Sequence, residues 1–450
     1  MTEPTPIFHK SVSLLKELDH KHATQIGGDL HRFATELYPI CRSITGDGIR
    51  QTLAAIGQNI PLDLREIPSG TAVFDWTVPR EWNIRDAWIK GPDGQSVVEF
   101  RKCNLHVMNY STPVHATVSL EELQPNLYSI PEHPEWIPYR TSYYKDAWGF
   151  CLPHRQLLAL QEGDYEVCVD STLEDGALTY GECFLPGRSS EEVLISCHAC
   201  HPSLANDNLS GLAVAAFLAK HLSGRDLRYS YRFLFIPGTI GAITWLSQNL
   251  EAAKRIRHGL VLTCIGDAGG FHYKKSRRGD AEIDRAMACA LRDCGEPFDV
   301  LDFSPYGYDE RQYCSPGFNL PVGCLMRSVW GTFPEYHTSA DNLEFISPAS
   351  LAGSLRLCTA AVDVLEQNNS YVNQSPFCEP QLGKRDLYRS AGGESIGAEI
   401  NARLWVLNFS DGSHSLLDIA EQSGLPFPLL SDAAMVLQEA GLLAPVPCAN

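Results

Sequence analysis

The chain has 450 residues, which predicts two to four domains, and its net charge of −18, from 54 acidic and 36 basic side chains, argues against a large nucleic-acid surface or a basic membrane patch. No apolar run approaches the roughly 18 residues of a membrane helix, and the first residues lack the basic and apolar regions of a secretory signal. The 15 cysteines are scattered along the chain, which is typical of reduced thiols in a cytoplasmic protein.

The first 180 residues divide into a helical stretch and a β-rich stretch. Residues 1 to about 68 are predicted to be helical, because segments 30–39 and 48–56 have apolar side chains at helical spacing. From 71 to 180, aromatic residues, prolines and turn pairs become dense, which indicates short strands. We therefore predict an inserted β-rich domain at 71–180.

Apolar strands alternate with helices in the part of the chain that follows. Strands are predicted at 193–195, 231–236 and 260–265, and helices at 212–223 and 241–256. This alternation is typical of an α/β domain with a mainly parallel sheet flanked by helices. We assign residues 1–70 and 181–373 to this domain.

The C-terminal end, residues 385–446, has the pattern of a winged-helix domain. A helix is predicted at 402–408. It is followed by a helix and turn at 415–424 and a second helix at 429–443, the order found in a helix-turn-helix.

The charge of this domain bears on its partners. Residues 401–450 contain only Arg403 against five acidic side chains, whereas DNA recognition needs basic residues on the second helix. We therefore expect no nucleic-acid partner. A packing role or a protein contact, which includes homo-oligomer formation, is favoured instead.

Two separated segments contain residue types that bind zinc. His201 and Asp207 follow the strand at 193–195, and side chains can converge at such a strand end. His337 lies in the second segment, residues 335–341. Zinc in hydrolases is held by imidazole and carboxylate ligands, with one position left for water. The alternative is that 206–208 is only a polar turn that caps a helix and that His201 is a hydrogen-bonded core histidine.

The first of these segments also matches other cysteine and histidine patterns. Cys197 to His201 has the C-x-x-C-H spacing of a haem attachment site, but that chemistry needs an exported protein. A redox pair would place Cys197 at a helix N-terminus, whereas it lies on a strand exit. No second cysteine pair stands at zinc-finger spacing. We expect His198 to orient the metal ligands rather than to be one.

Both segments resemble those of the co-catalytic zinc aminopeptidases, the group that includes glutamate carboxypeptidase and glutaminyl cyclase relatives. Residues 201–211 are similar to the family's G-A-N-D-N-A-S-G segment, and residues 336–341 to its Y-H-T-x-x-D segment. The chain is more similar still to bacterial aminopeptidase-like proteins with an inserted β domain and a C-terminal winged helix, often linked to polysaccharide biosynthesis. The stretches that carry this likeness are 82–87, 109–111, 141–144, 148–151, 200–203, 309–314 and 335–339.

The chain departs from this family at several carboxylates. The family ends the strand after its Asp ligand in a Glu-Glu pair, a general base and a metal ligand, where this chain has Gly238 and Thr239. Thr263 stands where a further Asp ligand is expected, and Asp267 lies just past that strand. The resemblance therefore implies a single zinc ion held by the three residues named above.

Segment 308–314 is the best substitute for the missing base, because the resembled proteins place it beside the metal. Glu310 is predicted to act as the base and Arg311 to bind a substrate carboxylate or a developing oxyanion. Tyr313 is predicted to donate a hydrogen bond. The alternative is a solvated turn with an ordinary Glu–Arg pair.

Two functions are consistent with these features. The first is a zinc-dependent hydrolase of an amide or peptide bond in a small peptide or amino-sugar conjugate. The second is a binding or regulatory protein that keeps the fold but has lost the base with Gly238. No membrane partner is expected for either function.

Overall fold

The computed structural model describes residues 13–19, 23–388 and 397–446. The described residues form two compact units. The large unit lies within 22–281 and 297–355, and the small unit lies within 1–21, 282–296 and 356–450. The domain boundaries that the sequence suggests stay predictions. Within the described ranges, no helix has both the length and the apolar character needed to cross a membrane.

The helices and strands are numbered in chain order. The helices are α1 Leu14–Asp19, α2 Ala23–Leu37, α3 Asp47–Gly57, α4 Leu120–Leu123, α5 His154–Leu158, α6 Gly211–Leu222, α7 Ile240–Gln248, α8 Leu250–Ala253, α9 Glu282–Cys294, α10 Glu310–Tyr313, α11 Pro348–Gln367, α12 Ala398–Phe409, α13 Leu416–Ser423 and α14 Phe427–Glu439. The strands are β1 Asp63–Pro68, β2 Ala72–Val73, β3 Trp76–Thr77, β4 Glu81–Lys90, β5 Ser96–Glu99, β6 Val114–Ser119, β7 Leu127–Tyr128, β8 Phe150–Cys151, β9 Asp164–Glu174, β10 Ala177–Leu185, β11 Glu192–His198, β12 Ser230–Ile236, β13 Ile256–Leu262, β14 Phe271–Lys274, β15 Phe298–Leu301, β16 Val322–Met326, β17 Ser370–Asn373, β18 Asp411–Ser415 and β19 Leu443–Pro445.

An eight-stranded mixed sheet forms the centre of the large unit. Its order is β1-β10-β12-β11-β13-β16-β14-β15. The four middle strands, β12, β11, β13 and β16, are parallel to one another, whereas β1, β10 and β14 pair antiparallel with a neighbour. The predicted mainly parallel α/β sheet is confirmed in these middle strands. Because β11 and β12 are buried along their whole length, they read as nearly continuous apolar runs.

Helices follow the middle strands as predicted. α6 follows β11, and α7 and α8 follow β12, so each crossover between parallel strands contains a helix. Most side chains of α6 and α7 are buried. The carboxyl ends of β11, β12 and β13 therefore lie side by side at one edge of the sheet, where ligands of such folds bind.

Strand β1 lies where the sequence pattern predicts helix. Residues 63–68 form an edge strand that pairs antiparallel with β10, with Leu64 opposite Gly181. Five of its six side chains are exposed, so the segment has no apolar alternation from which a strand could be recognised. The helical prediction for residues 1 to about 68 is correct for α1, α2 and α3 and wrong for β1, and residues 1–12 lie outside the described part of the chain.

Short sheets occupy most of the β-rich stretch. β5, β4, β9 and β6 form an antiparallel sheet in that order. Tyr165, Val167 and Val169 are buried on one face of β9, as the alternation of a half-buried strand requires. They pack against Ala87 and Ile89 of β4 in one apolar cluster. β10 already belongs to the central sheet.

The C-terminal residues fold as the predicted winged helix. α12, α13 and α14 accompany a three-stranded sheet of order β18-β17-β19. Ser415 and Asp418 form a capping box at the start of α13, and Gly424 ends that helix with φ 68°. These are local start and stop signals that the sequence displays directly.

The second helix of this motif, α14, is engaged inside the small unit. The Phe427 backbone N–H donates to Asp293 Oδ2 of α9 at 2.8 Å, and Lys16 of α1 pairs with Asp432 at 2.7 Å. The charged side chains of α14 are Asp432 and Glu439, both acidic.

We expect the full-length protein to bind no DNA sequence specifically, because phosphate contacts dominate such affinity and the charges of α14 repel phosphate. An electrophoretic mobility shift at low salt, with a pool of random duplexes and excess non-specific competitor, measures this. Saturable binding that selects one sequence from the pool would contradict the expectation.

Candidate functional site

The site begins at the carboxyl end of β11. The sequence suggested that His201 stands at the end of this strand. The strand ends at His198, and His201 lies in the loop that follows. The loop returns as an irregular helical turn at Ala205–Ser210, which carries Asp207. His198 Nε2 lies 3.0 Å from His201 Nδ1 and 2.8 Å from Asp207 Oδ1. Among the described residues, these three side chains form a group with ligand atoms close enough to share one metal ion.

His337 completes the cluster from a distant part of the chain. Its Nε2 lies 2.9 Å from Asp207 Oδ2. The structure therefore brings together His201, Asp207 and His337, the three predicted ligands, and places His198 among them. Asp207 is fully buried, whereas the His337 side chain is 34% exposed, so the cluster is accessible from the His337 side.

Electrostatics favour metal-binding forms of the ligands. Burial lowers the pKa of the His201 imidazole well below its ordinary value, against the attraction of Asp207, so the ring is neutral at physiological pH. Burial opposes the charge of Asp207, but the imidazoles around that carboxylate hold its pKa well below its ordinary value. A neutral imidazole and an ionised carboxylate both offer free electron pairs.

Asp341 holds the Asp207 turn in place. Its Oδ1 accepts from the Asn206 backbone N–H at 2.6 Å, and its Oδ2 from that of Asp207 at 2.9 Å. Burial raises the pKa of the Asp341 carboxyl to about 8, although these hydrogen bonds lower it. Asp341 therefore positions the cluster through the backbone.

Asp267, which the sequence left open as a ligand, is engaged elsewhere. Its Oδ2 accepts from Asn206 Nδ2 at 2.7 Å, and its Oδ1 accepts from Ser328 Oγ and from the Gly269 backbone N–H, each at 2.7 Å. Asp267 thus supports the turn that carries Asp207.

Tyr308 bridges the cluster and segment 308–314. Its hydroxyl donates to Asp207 Oδ2 at 2.8 Å, and its ring stacks on His198 with centroids 4.6 Å apart. Burial raises the pKa of Tyr308 well above its ordinary value, so the hydroxyl remains a donor. The Tyr336 hydroxyl lies 2.8 Å from that of Tyr308.

The residue after Tyr308 is a buried carboxylate. Asp309 is fully buried, and neither of its oxygens has a hydrogen-bond partner within the described part of the chain. Burial raises the pKa of the Asp309 carboxyl to about 7. A Cβ atom added to Gly238 would lie 3.6 Å from Asp309 Oδ1 and 3.0 Å from His198 Cβ. Asp309 therefore faces the end of β12, where the resembled family has its base.

The three predicted catalytic residues lie close to Asp309 in sequence but have other contacts. Glu310 is fully buried and pairs with Lys274 at 2.8 Å. Tyr313 is fully buried, with its hydroxyl 2.9 Å from Ser196 Oγ. The Arg311 Nε is buried and has no hydrogen-bond partner among the described residues. Among the described residues, the hydrogen bond of Tyr313 and the ion pair of Glu310 do not reach the His–Asp cluster, and the catalytic roles of the three residues stay predictions.

Aromatic and basic side chains enclose the cluster. Tyr139, from the β-rich stretch, stands edge-on to His201 and His337, with centroids 5.1 and 5.2 Å away. The Tyr139 backbone N–H donates to the His337 carbonyl at 2.8 Å. Arg42 is buried and donates through Nε to the His201 carbonyl at 2.9 Å. Both ligand loops are thus fixed by main-chain contacts.

The sequence identified segment 308–314 but assigned no role to Tyr308 or Asp309, and the expectation that His198 orients the ligands stays a prediction. One signal was available for His198, because it ends a middle parallel strand and such ends form the binding edge of the sheet. The sequence shows Asp309 next to Glu310, but only the fold shows that Asp309 is buried close to Gly238.

Known families cover nearly the whole chain. Residues 31–368 match a domain of unknown function, DUF4910. Residues 369–445 match a winged helix-turn-helix family.

Individual proteins and structures agree with these matches. The chain is 51% identical over 424 residues to a candidate polysaccharide biosynthesis protein with an aminopeptidase-like domain from Clostridium acetobutylicum, which covers 94% of this chain and 98% of that protein. A crystal structure of a candidate peptidase from that organism is 50% identical, has a TM-score of 0.91 and covers 96% of this chain and 100% of that one. A zinc aminopeptidase from Bacillus subtilis, 14% identical, shares the fold with a TM-score of 0.54 over 76% of this chain and 94% of its own.

Proposed function

We propose that this chain, which belongs to the DUF4910 family and has an aminopeptidase-like fold, is a cytoplasmic zinc-dependent hydrolase of an amide or peptide bond. Its substrate is a small peptide or an amino-sugar conjugate, and the name of the Clostridium acetobutylicum relative, which refers to polysaccharide biosynthesis, supports the second class. The observation that carries the proposal is the convergence of His201, Asp207 and His337 at the binding edge of the sheet.

The donor set fits zinc. Imidazole nitrogens and a carboxylate are its usual ligands in hydrolases, and neutral His201 and ionised Asp207 need lose no proton to bind it. His198 Nε2 is near enough to act as a further donor or to hydrogen-bond to Asp207. When bound, zinc would polarise a substrate carbonyl and make water easier to deprotonate.

The chain's own residues orient and shield this site. Tyr308 donates to Asp207 Oδ2 and so fixes the carboxylate, leaving Oδ1 toward His198. Tyr139 and Tyr336 cover the imidazole rings of the cluster and limit the access of bulk water. A substrate would enter past His337, the most exposed member.

One observation favours the second function, a binding or regulatory protein. Gly238 and Thr239 leave the end of β12 without a carboxylate, and loss of a general base typically costs about 10²–10⁴ in rate. A protein contact through the winged helix would suit such a role.

We expect the purified protein to retain about one zinc ion per chain, because the described residues offer one group of converging ligands. His337→Ala should lower the zinc content and abolish hydrolysis of aminoacyl p-nitroanilides and N-acyl amino sugars. His115→Ala, which changes an exposed histidine of the β-rich stretch, is the matched control. Elemental analysis and rate assays on the same preparations measure both effects.

The outcomes separate the two functions. Bound zinc without hydrolysis of any substrate would favour the binding protein. Two tightly held ions per chain, or full zinc occupancy in His337→Ala, would contradict the proposed ligand set.

A further inference from the structure

We propose that Asp309 is the general base of this site: its carboxylate accepts a proton from the attacking water, or from a bound acidic ligand, at His201, Asp207 and His337. This role rests on the hydrolytic function proposed above. A buried carboxylate is normally paired or hydrogen-bonded, because an isolated buried charge is costly. Asp309 is fully buried and both of its oxygens lack a partner within the described ranges. Such an unpaired group beside a cluster of ligands is a mark of a functional site.

The position of Asp309 supports this role. Its neighbour Tyr308 donates to Asp207 and stacks on His198, so the backbone at 308–309 is anchored to the cluster. The Asp309 carboxylate lies 3.6 Å from the point where a Cβ of residue 238 would stand. That same point lies 3.0 Å from His198 Cβ and 3.5 Å from His198 Cγ. A side chain at 238 would crowd His198, so glycine allows His198 and Asp309 to approach this end of β12 closely.

Glu310 is less suited to this role. Its Oε1 is held by Lys274 at 2.8 Å, and the pair is almost completely buried. Lys274 also donates to the Tyr306 carbonyl at 2.7 Å and lies over the ring of Trp330. Because Lys274 already occupies Oε1 of this carboxylate, we assign Glu310 the role of anchoring this segment.

The proposed step balances as an amide hydrolysis. The oxygen of water forms a bond to the carbonyl carbon, and its proton moves to a carboxylate oxygen of Asp309. The carbon–nitrogen bond then breaks, and Asp309 returns the proton to the leaving nitrogen, which departs as an amine. Asp309 ends in its starting form, as a general acid–base residue must.

Asp309→Asn and Glu310→Gln are the decisive variants, because each replaces a carboxylate with an amide of equal size. Zinc content is measured first and should be unchanged in Asp309→Asn. Its kcat/KM on aminoacyl p-nitroanilides should fall by about 10²–10⁴, whereas Glu310→Gln should chiefly lose stability, because it breaks the buried pair with Lys274, and should lose less of its kcat/KM than Asp309→Asn. The affinity of zinc-loaded protein for L-leucine hydroxamate, measured by calorimetry, should fall at least tenfold in Asp309→Asn alone, because the hydroxamate gives up a proton when it binds.

A second pair of variants tests whether a carboxylate at position 238 can replace that of Asp309. Gly238→Glu with Asp309→Ala returns a carboxylate to the same space and should recover part of the lost rate. Gly238→Glu alone should not raise the rate above wild type, because it forces two carboxylates together.

These measurements decide between the two carboxylates. Asp309→Asn with unchanged rate and hydroxamate affinity overturns it, and so does a loss found only in Glu310→Gln. If the wild type binds zinc but hydrolyses no substrate, the hydrolytic function fails. The hydroxamate affinities then still decide whether Asp309 accepts a proton.

Discussion

Asp207→Asn is expected to abolish zinc binding and hydrolysis together, the largest effect of any single change in this protein. Asp207 contacts His198, His337 and Tyr308, at 2.8, 2.9 and 2.8 Å. An amide of the same size has one acceptor oxygen instead of two, carries no charge and turns an NH₂ group toward donors. Zinc affinity should fall by more than the roughly 10–100-fold that loss of an outer partner costs.

Thermal unfolding measures this loss without any substrate. Zinc at about 100 times its Kd should stabilise the wild type by about 2.7 kcal/mol, and a chelator should remove that gain. Asp207→Asn should unfold at the same temperature with zinc and with chelator. Asp226→Asn, at an exposed ion pair with Arg188, should behave as the wild type. A zinc-dependent stabilisation that persists in Asp207→Asn would refute its role as a ligand.

Glu192→Gln is expected to destabilise the protein by about 3 kcal/mol, because breaking a buried ion pair leaves a charge without compensation. Glu192, the first residue of β11, is fully buried. Arg232 Nε donates to it at 2.6 Å and Arg255 Nε at 2.7 Å. Glu182 also pairs with Arg232 and limits the loss to the lower end of the usual range.

The adjacent residue provides the matched control. Glu191 pairs with Arg257 at 2.8 Å, and both side chains are substantially exposed, so Glu191→Gln should cost only about 0–1 kcal/mol. Urea unfolding followed by tryptophan fluorescence measures both variants. Equal stabilities for the two variants would show that burial adds nothing to this ion pair.

The features that the sequence predicts well are those with local signals. β11 and β12 are buried on both faces, so their apolar runs identify them. The helix-turn-helix is recognised from Ser415 and Gly424, because a cap and a stop act on their own neighbours. β1 has neither signal, since pairing with β10 alone makes it a strand.

The candidate site is predicted only as far as its residue types allow. His201, Asp207 and His337 stand out because imidazole and carboxylate groups are the usual zinc ligands and because their segments resemble those of the zinc aminopeptidases. The choice between Asp309 and Glu310 is beyond the sequence, because consecutive residues at a helix start point in different directions. Only the folded chain shows that Lys274 takes one carboxylate and that Gly238 faces the other.

The small unit is assembled from distant parts of the chain. Its helices are therefore synthesised at different times. Helix α9 buries Ile283, Met287 and Leu291, and it contacts α13 and α14. The ribosome adds about 5–20 residues per second, so synthesis of the roughly 140 residues between the ends of α9 and α14 takes roughly 7–30 s. For those seconds the nascent chain carries an amphipathic helix without its partners, which is a surface that chaperones bind.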